Sequence, residues 1–192
     1  LGQHTDLPTR ETPPGFQFLH CLENSVPGGL SRMADGMAVV AEIRRRHADA
    51  YESLTTDEWV FANRAVDGDH RWIGPIIDFG GPRSPLTIRA FYPVRLAPYM
   101  PIDRQQRAYD AMRVFSQVAH DPRFMISSAF APGDLVGFDN RRILHGRDAF
   151  DPGAGRRRLR GCYLDHDDLF SRLRVVRRLA APQFTPSERT TP

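Results

Sequence analysis

The chain has 192 residues, of which 41% are hydrophobic and 26% are charged, a composition that excludes a mostly disordered protein and permits a domain with its own core. No apolar run approaches the roughly 20 residues that a membrane-spanning helix needs, so we expect no membrane partner. All 26 basic residues are arginine, which excludes chemistry that depends on a lysine amine.

The cysteines and the first residue carry two further expectations. Cys21 and Cys162 are too few for a disulfide framework, a usage typical of the reducing cytosol, and we expect a cytoplasmic protein. Leu1 is not an initiator methionine, which predicts a fragment that lacks its N-terminal part.

The first half of the chain predicts strands around one helix. Residues 16–22 form a short apolar run typical of a strand. Apolar side chains then recur at helical spacing, which predicts a helix over residues 35–54. Three further apolar runs, at residues 59–61, 72–79 and 86–92, are separated by Asp-Gly and Gly-Gly-Pro sequences. We expect these three runs to be neighbouring antiparallel strands.

The second half of the chain predicts one more helix and the remaining strands. The helix should begin at Asp103, a candidate N-cap, and end near His120. The remaining strand-like runs lie at residues 124–130, 135–138 and 158–164. Seven or eight short strands with two helices in the longer connections favour a mainly β fold, either a β-sandwich or an open barrel with helical insertions. Residues 1–180 are predicted to form this one domain, and residues 181–192 a polar tail.

Three residues are candidates for a metal site. His4 and Asp6 are separated by one residue, and in an extended segment such residues point to the same face. With His145, they would supply two imidazoles and one carboxylate, the arrangement of non-haem Fe(II) oxygenases. Asn140 precedes His145, and we expect it to form a turn or a ligand-orienting hydrogen bond. An H-x-D tripeptide also arises often by chance, so the alternative of a polar loop stays open at this point.

An arginine-rich stretch leads into the last predicted strand and consists of Arg156, Arg157, Arg158 and Arg160. Successive strand residues alternate between faces, so at most half of these guanidinium groups point inward together. An inward arginine beside a metal would anchor the far carboxylate of a dicarboxylate cosubstrate. A solvated basic strand or a nucleic-acid patch is the alternative.

Four sequence blocks, in order between residues 2 and 178, carry a resemblance to a known family. They are HTDLP, PGFQFLHCLENSVPGGLSRMADG, PGDLVGFDNRRILHGRDAF and RRLRGCYLDHDDLFSRLRVV, whereas residues 59–110 match loosely. The chain resembles the γ-butyrobetaine dioxygenase-like branch of the TauD/TfdA superfamily. This resemblance implies a double-stranded β-helix, or jelly roll, with helical insertions. It also implies Fe(II) as the metal and 2-oxoglutarate as the cosubstrate.

The resemblance assigns roles to individual residues. His4, Asp6 and His145 match the three Fe(II) ligands of the family. Arg157 aligns with the arginine that pairs with the C5 carboxylate of 2-oxoglutarate, and its two neighbours would face away from the site. Ser31 occupies the place where related enzymes keep a Thr or Ser near that cosubstrate. A hydroxyl that bonds the backbone at a turn is the alternative for Ser31.

Tyr163 is the candidate substrate-binding residue. It matches a tyrosine that, in the γ-butyrobetaine enzymes, helps to surround a trimethylammonium group by cation–π contact. The other aromatic positions of that cage would precede His4. Thr9 stands where relatives commonly have a tyrosine, and residues 91–93 replace an asparagine-bearing segment of the animal enzymes. A Tyr163 that packs in the core is the alternative.

These expectations combine into an enzyme that uses O2 and 2-oxoglutarate to hydroxylate an unactivated C–H of a small zwitterionic substrate of γ-butyrobetaine type. A non-catalytic jelly-roll module, or an inactive fragment of such an enzyme, is the first alternative. An arginine-rich nucleic-acid binder is the second, but the net charge is only +3 and the 23 acidic residues are interspersed. We therefore expect no nucleic-acid partner, while a homo-oligomer stays open.

Overall fold

The computed structural model describes residues 1–80 and 86–180, and the predicted tail at residues 181–192 lies outside the described residues. Within the described part, the strands are β1 (Phe16–Asn24), β2 (Ser31–Asp35), β3 (Trp59–Arg64), β4 (Asp69–Gly74), β5 (Ile77–Asp78), β6 (Thr87–Ile88), β7 (Arg95–Pro98), β8 (Met125–Ser128), β9 (Leu135–Asp139), β10 (Ile143–Arg147) and β11 (Arg157–Leu164). The helices are α1 (Gly36–Arg46), α2 (Ala48–Thr56), α3 (Ile102–Ala119) and α4 (His166–Ala180). None of these four helices of the described residues combines the length and apolarity needed to cross a membrane.

Two three-stranded antiparallel sheets form the scaffold of the candidate site. In the first sheet, β1 lies between β11 and β9, and in the second, β2 lies between β10 and β8. The central strands β1 and β2 follow one another in the chain, so a short connection passes from one sheet to the other. A third sheet has the order β4-β3-β7, and β5 pairs with β6. The expected mainly β architecture with helical insertions is present.

The main apolar core lies between the helices α1, α2 and α3 and the neighbouring strands. Its buried side chains include Val39, Ile43, Leu54, Trp59, Phe61, Ile88, Phe115 and Leu144. Leu144 belongs to β10, and alternate residues of a strand point to opposite faces. Burial of Leu144 in this core therefore turns the side chain of His145 to the other face of the sheet.

The predicted helix over residues 35–54 is wrong in its continuity, because the chain leaves the helical conformation at His47, with φ −139° and ψ 65°. The apolar stripe itself remains in phase across the break, and Ile43 and Leu54 both lie in the core. Position 47 falls on that stripe, so a continuous helix would direct an imidazole towards apolar side chains. The break leaves His47 exposed to solvent.

The strand predictions are correct in kind and imprecise in extent. The antiparallel pairing expected in the middle of the chain is confirmed for β3 with β4 and for β5 with β6. Residues 86–92 contain only the two-residue β6, and a 3-10 turn follows at Tyr92–Val94. Asp103 lies in the first turn of α3 rather than at its N-cap, which is Pro101. An aspartate in the first turn still interacts favourably with the helix dipole.

Four elements have no counterpart in the sequence-based prediction. They are β2, β7, β10 and α4. His145 was expected just past a strand, whereas it lies in the middle of β10. This difference matters for the site, because a central strand position holds a side chain more rigidly than a loop does.

Candidate metal centre

His4, Asp6 and His145 converge at one point, as the sequence predicts. Each offers one ligand atom, and these three atoms lie within 4.8 Å of one another. His4 Nε2 is 3.3 Å from Asp6 Oδ1, and His145 Nε2 is 3.7 Å from Asp6 Oδ2. The two histidines are 5% and 8% exposed, so the cluster is mostly shielded from water.

A backbone bridge brings these distant residues together. The His4 N–H donates to the His145 carbonyl, and the His145 N–H donates to the His4 carbonyl, both at 2.9 Å. Residues directly opposite each other in an antiparallel pair point to the same face, and the two rings lie 4.1 Å apart. Thr5 points the other way, since its hydroxyl donates to the Ile88 carbonyl at 2.8 Å. The alternation predicted for the H-x-D segment is confirmed.

The two imidazoles are held in a form suited to metal binding. The His4 Nδ1–H donates to the Gly2 carbonyl at 2.8 Å, which orients Nε2 towards Asp6 and the centre of the cluster. The His4 ring stacks on Phe91 at 4.9 Å, and the His145 ring lies 5.0 Å from Phe138. Burial, and then the nearby His4, lowers the pKa of His145 to about 4. His145 is therefore neutral at pH 7.

The Asp6 carboxylate is held from the first sheet. Its Oδ2 accepts a hydrogen bond from Gln17 Nε2 at 2.8 Å and another from the Tyr163 hydroxyl at 2.7 Å. Gln17 of β1 and Tyr163 of β11 are directly opposite each other in the sheet register. Burial alone would raise the pKa of Asp6, but hydrogen bonds with His4 and Tyr163 outweigh it and lower the pKa to about 2. Asp6 is therefore ionised at neutral pH.

Asn140 fixes the main chain of the same segment. Its Oδ1 accepts a hydrogen bond from the Asp6 N–H at 2.8 Å, and its Nδ2 donates to the Asp6 carbonyl at 3.0 Å. Nδ2 also donates to the Pro14 carbonyl at 3.2 Å. Asn140 is 0% exposed, so water cannot replace these bonds. The orienting hydrogen bond expected of this residue is confirmed.

Arg157 and Ser31 lie on the two sheets that flank the metal-binding cluster. Arg157 is partly buried and its neighbours Arg156 and Arg158 are exposed, in agreement with the expected alternation. Arg157 and Tyr163 share one face of β11, because they are an even number of positions apart in the strand. Ser31 is buried on β2, next to the strand that carries His145. The cosubstrate roles of Arg157 and Ser31 stay predictions.

Two contacts of this arrangement were not predicted from the sequence. Gln17 was not singled out, although a polar residue inside the apolar run 16–22 is a signal for a buried hydrogen bond. Tyr163 was considered for its ring, whereas the structure gives its hydroxyl a bond to a candidate metal ligand. Both partnerships depend on which strands pair and in which register, information that the sequence pattern does not contain.

Comparisons with known proteins agree with this geometry. The family model "Taurine catabolism dioxygenase TauD, TfdA family" matches residues 1–163. A γ-butyrobetaine dioxygenase of Pseudomonas sp. (strain AK-1) is 42% identical over 178 residues, which cover 93% of this chain and 46% of the relative. The γ-butyrobetaine dioxygenase of Homo sapiens is 31% identical over 186 residues, covering 92% of this chain and 47% of the relative. The chain thus spans about half the length of the curated relatives it matches.

Solved structures place the fold in the same group. An asparagine oxygenase, solved with Fe(II), 3-hydroxyasparagine and succinate, superposes with a TM-score of 0.67 at 24% identity over 85% of this chain and 49% of that chain. AAD-2, solved with Mn(II) and N-oxalylglycine, has a TM-score of 0.66 at 15% identity over 84% of this chain and 67% of that chain. These similarities confirm the expected double-stranded β-helix with helical insertions. The chain belongs to the TauD/TfdA family of dioxygenases.

Proposed function

We propose that this chain carries the metal-binding part of an Fe(II)- and 2-oxoglutarate-dependent dioxygenase that hydroxylates an unactivated C–H of a small zwitterion. The convergence of His4, Asp6 and His145, with three ligand atoms within 4.8 Å, is the observation that carries the proposal. The family of the chain and the activities named for its relatives support it.

The chemistry of the three donors fits Fe(II). Two neutral imidazoles and one ionised carboxylate are the ligand set of non-haem Fe(II) oxygenases, and they leave other positions of an octahedral ion for cosubstrate and O2. Because His145 is neutral and Asp6 ionised at pH 7, neither has to lose a proton before it binds a cation.

The residues around the centre orient the metal ligands and shield them from water. An Fe(II) ion held there would activate O2, the oxidant, so that one oxygen atom converts a C–H bond into C–OH and the other enters succinate as 2-oxoglutarate loses CO2. Gln17 and Tyr163 hold one oxygen of Asp6, and Asn140 holds its main chain. Phe91 stacks on the ring of His4 and excludes water from that side. These contacts keep the ligand set in one geometry.

Arg157 is the proposed anchor for the C5 carboxylate of 2-oxoglutarate. Its Nε is buried without a hydrogen-bond partner among the described residues, and burial lowers the pKa of its guanidinium. A carboxylate that enters beside it would form a charge-assisted, bidentate pair. Ser31, buried on β2, is the proposed hydroxyl near that cosubstrate.

The proposed substrate is a small zwitterion with a trimethylammonium group. The two curated relatives compared above are named γ-butyrobetaine dioxygenases, which supports this class. Tyr163 lies next to Asp6 and is 46% exposed, so its ring remains open to a ligand while its hydroxyl is bonded. A quaternary ammonium over such a ring would gain cation–π energy.

The proposed partners are a small-molecule substrate and O2, and we propose no nucleic-acid partner. The proposed location of the protein is the cytoplasm. Several arginines that could form a basic surface are already paired with carboxylates. Arg104 contacts Asp57 at 2.6 Å, and Arg142 contacts Asp35 at 2.6 Å. Such pairs reduce the free positive charge available to phosphates.

Succinate release tests the proposal. The 192-residue chain is incubated anaerobically with Fe(II), then with O2, 2-oxoglutarate and either γ-butyrobetaine or a trimethylammonium compound of different length. We expect succinate that depends on Fe(II) and increases with the correct zwitterion, together with a hydroxylated product by mass spectrometry.

The variant His145→Ala is the matched negative control, and His70→Ala, an exposed histidine of β4, is the positive one. Succinate production that persists in His145→Ala contradicts the assigned centre. If the wild-type chain binds Fe(II) but produces no succinate, the non-catalytic alternative is favoured. If a longer chain then restores turnover, the 192-residue chain is an inactive fragment of an enzyme.

A further inference from the structure

Arg147 and Arg157 approach the same aromatic ring. The guanidinium carbon of Arg147 lies 4.5 Å from the centroid of the Phe150 ring, and that of Arg157 lies 5.7 Å from it. Gly29, with φ +62°, forms one wall of this cluster. A Cβ at Gly29 would lie 3.3 Å from Phe150 Cδ1 and 3.5 Å from Arg157 Nε, so glycine provides both the conformation and the room.

Arg147 lies on the metal-facing side of β10. His145 and Arg147 are two residues apart in one strand, so their side chains share a face and are separated by about 7 Å along the strand. Ser31 of β2 is directly opposite Arg147 in the register, and its side chain shares that face as well. The proposed metal centre, Arg147 and Ser31 therefore lie on one face of the second sheet.

In the described part of the chain, neither guanidinium has an anionic partner. The Nε atoms of Arg147 and Arg157 are both buried without a hydrogen bond. Asp148, the next carboxylate along the chain, contacts Arg32 at 2.6 Å instead. Burial, and then repulsion by the positive charge of Arg147, lowers the pKa of Arg157. An anion between them would relieve this repulsion.

We propose that Arg147 is a second binding residue for the distal carboxylate of 2-oxoglutarate, which would lie between the guanidinium groups of Arg147 and Arg157. The inference rests on the proposed function. A cosubstrate with its 2-oxo acid end at the histidines could extend its five-carbon chain along β10, which would bring its far carboxylate towards Arg147. Two guanidinium groups match the two oxygens of that carboxylate. The pair also selects against 2-oxo acids without a distal charge, because these leave both cations unpaired.

The experiment compares 2-oxoglutarate with 2-oxopentanoate, which has the same carbon chain but a methyl group in place of the distal carboxylate. Dissociation constants are measured by calorimetry on the full chain with Mn(II), in the absence of O2. We expect R147Q to weaken 2-oxoglutarate binding about ten- to hundredfold, and to leave the dissociation constants of Mn(II) and 2-oxopentanoate unchanged. R158Q, an exposed neighbour of Arg157 on the other face of β11, is the matched control and should bind as the wild type does.

Two results would overturn the inference and leave the proposed function intact: an unchanged dissociation constant for 2-oxoglutarate in R147Q, or equal weakening of both 2-oxo acids. A wild-type chain that binds Mn(II) but no 2-oxoglutarate overturns both the inference and the proposed function. A second measurement does not depend on R147Q and uses the conservative variant R147K only to assign a resonance. In the Zn(II)-loaded wild type, the Nε–H resonance of Arg147, assigned with R147K, should shift with 2-oxoglutarate and not with 2-oxopentanoate, and an unmoved resonance overturns the inference.

Discussion

At the scale of single residues, the site depends on how one short segment is held. His4 and Asp6 sit on an extended segment whose side chains alternate, and neither belongs to a named strand. The hydrogen bonds that immobilise this segment come from elsewhere in the chain: Gln17, Asn140 and Tyr163 all contact Asp6. Metal affinity should therefore depend on residues that contact no metal.

Asn140→Ala provides the first test at this scale. The substitution leaves the N–H of Asp6 without its acceptor, and an unpaired buried donor costs about 1–3 kcal/mol of stability. Loss of such an orienting partner also lowers metal affinity by about 10- to 100-fold. Calorimetry with Mn(II) and urea unfolding of the metal-free chain measure the two effects separately. Asn63→Ala, at an exposed position of β3, should change neither.

Tyr163→Phe separates the two roles of that residue. The phenylalanine keeps the aromatic face and removes the hydroxyl that donates to Asp6 Oδ2. Loss of a hydrogen bond that orients a metal ligand lowers metal affinity by about 10- to 100-fold, so we expect Mn(II) to bind about tenfold or more weakly. The dissociation constant of a trimethylammonium ligand, measured on the metal-saturated variant, should stay near the wild-type value. If that constant rises while Mn(II) affinity is unchanged, the hydroxyl serves the substrate and not the metal ligand.

At the scale of elements, an ion pair links a helix to the loop that precedes β10. The Asp35 carboxylate caps α1 by accepting from the Met37 N–H at 2.9 Å. The same carboxylate accepts two hydrogen bonds from Arg142, at 2.9 Å from Nε and 2.6 Å from Nη2. One side chain therefore joins the start of α1 to the segment that leads to His145.

Asp35→Asn and Asp35→Ala divide this contribution into its parts. The asparagine keeps a capping oxygen and loses the ion pair, whose partners are both more than a third exposed, so we expect a loss of less than about 1 kcal/mol. The alanine also loses the cap, and about 1 kcal/mol more. Urea unfolding at pH 7 measures both, and Asp69→Asn, in an exposed ion pair with Arg71, should have nearly no effect.

The pH dependence of the Asp35–Arg142 ion pair follows from the direction in which the pKa of Asp35 is shifted. The hydrogen bonds from Arg142 are the largest cause that lowers the pKa of Asp35 in the folded chain. A carboxyl that is more acidic in the folded state stabilises the fold above its unfolded pKa of about 3.9, and this contribution is lost as the pH falls through the folded value. The difference between wild type and Asp35→Asn should therefore shrink from pH 7 to pH 3. A difference that stays constant over this range would show that the charge of Asp35 is not its source.

How far the sequence predicts these elements depends on whether the signal is local. The positions of β1, β9 and β11 follow from short apolar runs, and α3 follows from a long helical stripe. The break at His47 could not be predicted from periodicity, because the stripe remains in phase on both sides of it. α4 was missed although Asp167 and Asp168 in its first turn and Arg177 and Arg178 in its last are typical helix ends.

The same distinction applies to the site. Side-chain alternation in an extended segment places His4 and Asp6 on one face, and a local rule is sufficient for that prediction. His145 joins them through a backbone bridge between segments far apart in the chain, which no local rule provides. Gln17 and Tyr163 meet only because β1 and β11 pair in one particular register. The resemblance to a family assigned His145 to the metal site, whereas no feature of the sequence was used to predict the contact between Gln17 and Asp6.

At the scale of the whole molecule, the candidate centre joins the first residues of the described chain to its second half. The segment after the H-x-D motif is also fixed from a distance, since the buried Arg89 donates to the carbonyls of Pro8, Arg10 and Glu11. An ion bound by His4, Asp6 and His145 would add a cross-link between segments that already share four main-chain hydrogen bonds, two between His4 and His145 and two between Leu1 and Arg147. Metal binding should therefore stabilise the entire fold rather than one loop.

Thermal unfolding with and without metal tests this coupling. A ligand that binds only the folded chain, at 100 times its dissociation constant, contributes about 2.7 kcal/mol, and a domain of this size gains about 2–4 °C in Tm for each kcal/mol. We expect Mn(II) to raise the Tm by roughly 5–10 °C, and a chelator to reverse the rise. His145→Leu removes one ligand with little change in volume and should abolish the rise, whereas His70→Ala, at an exposed position, should retain it. A rise of equal size in His145→Leu would mean that the ion binds elsewhere on the chain, because two ligands bind an ion more weakly than the complete set of three.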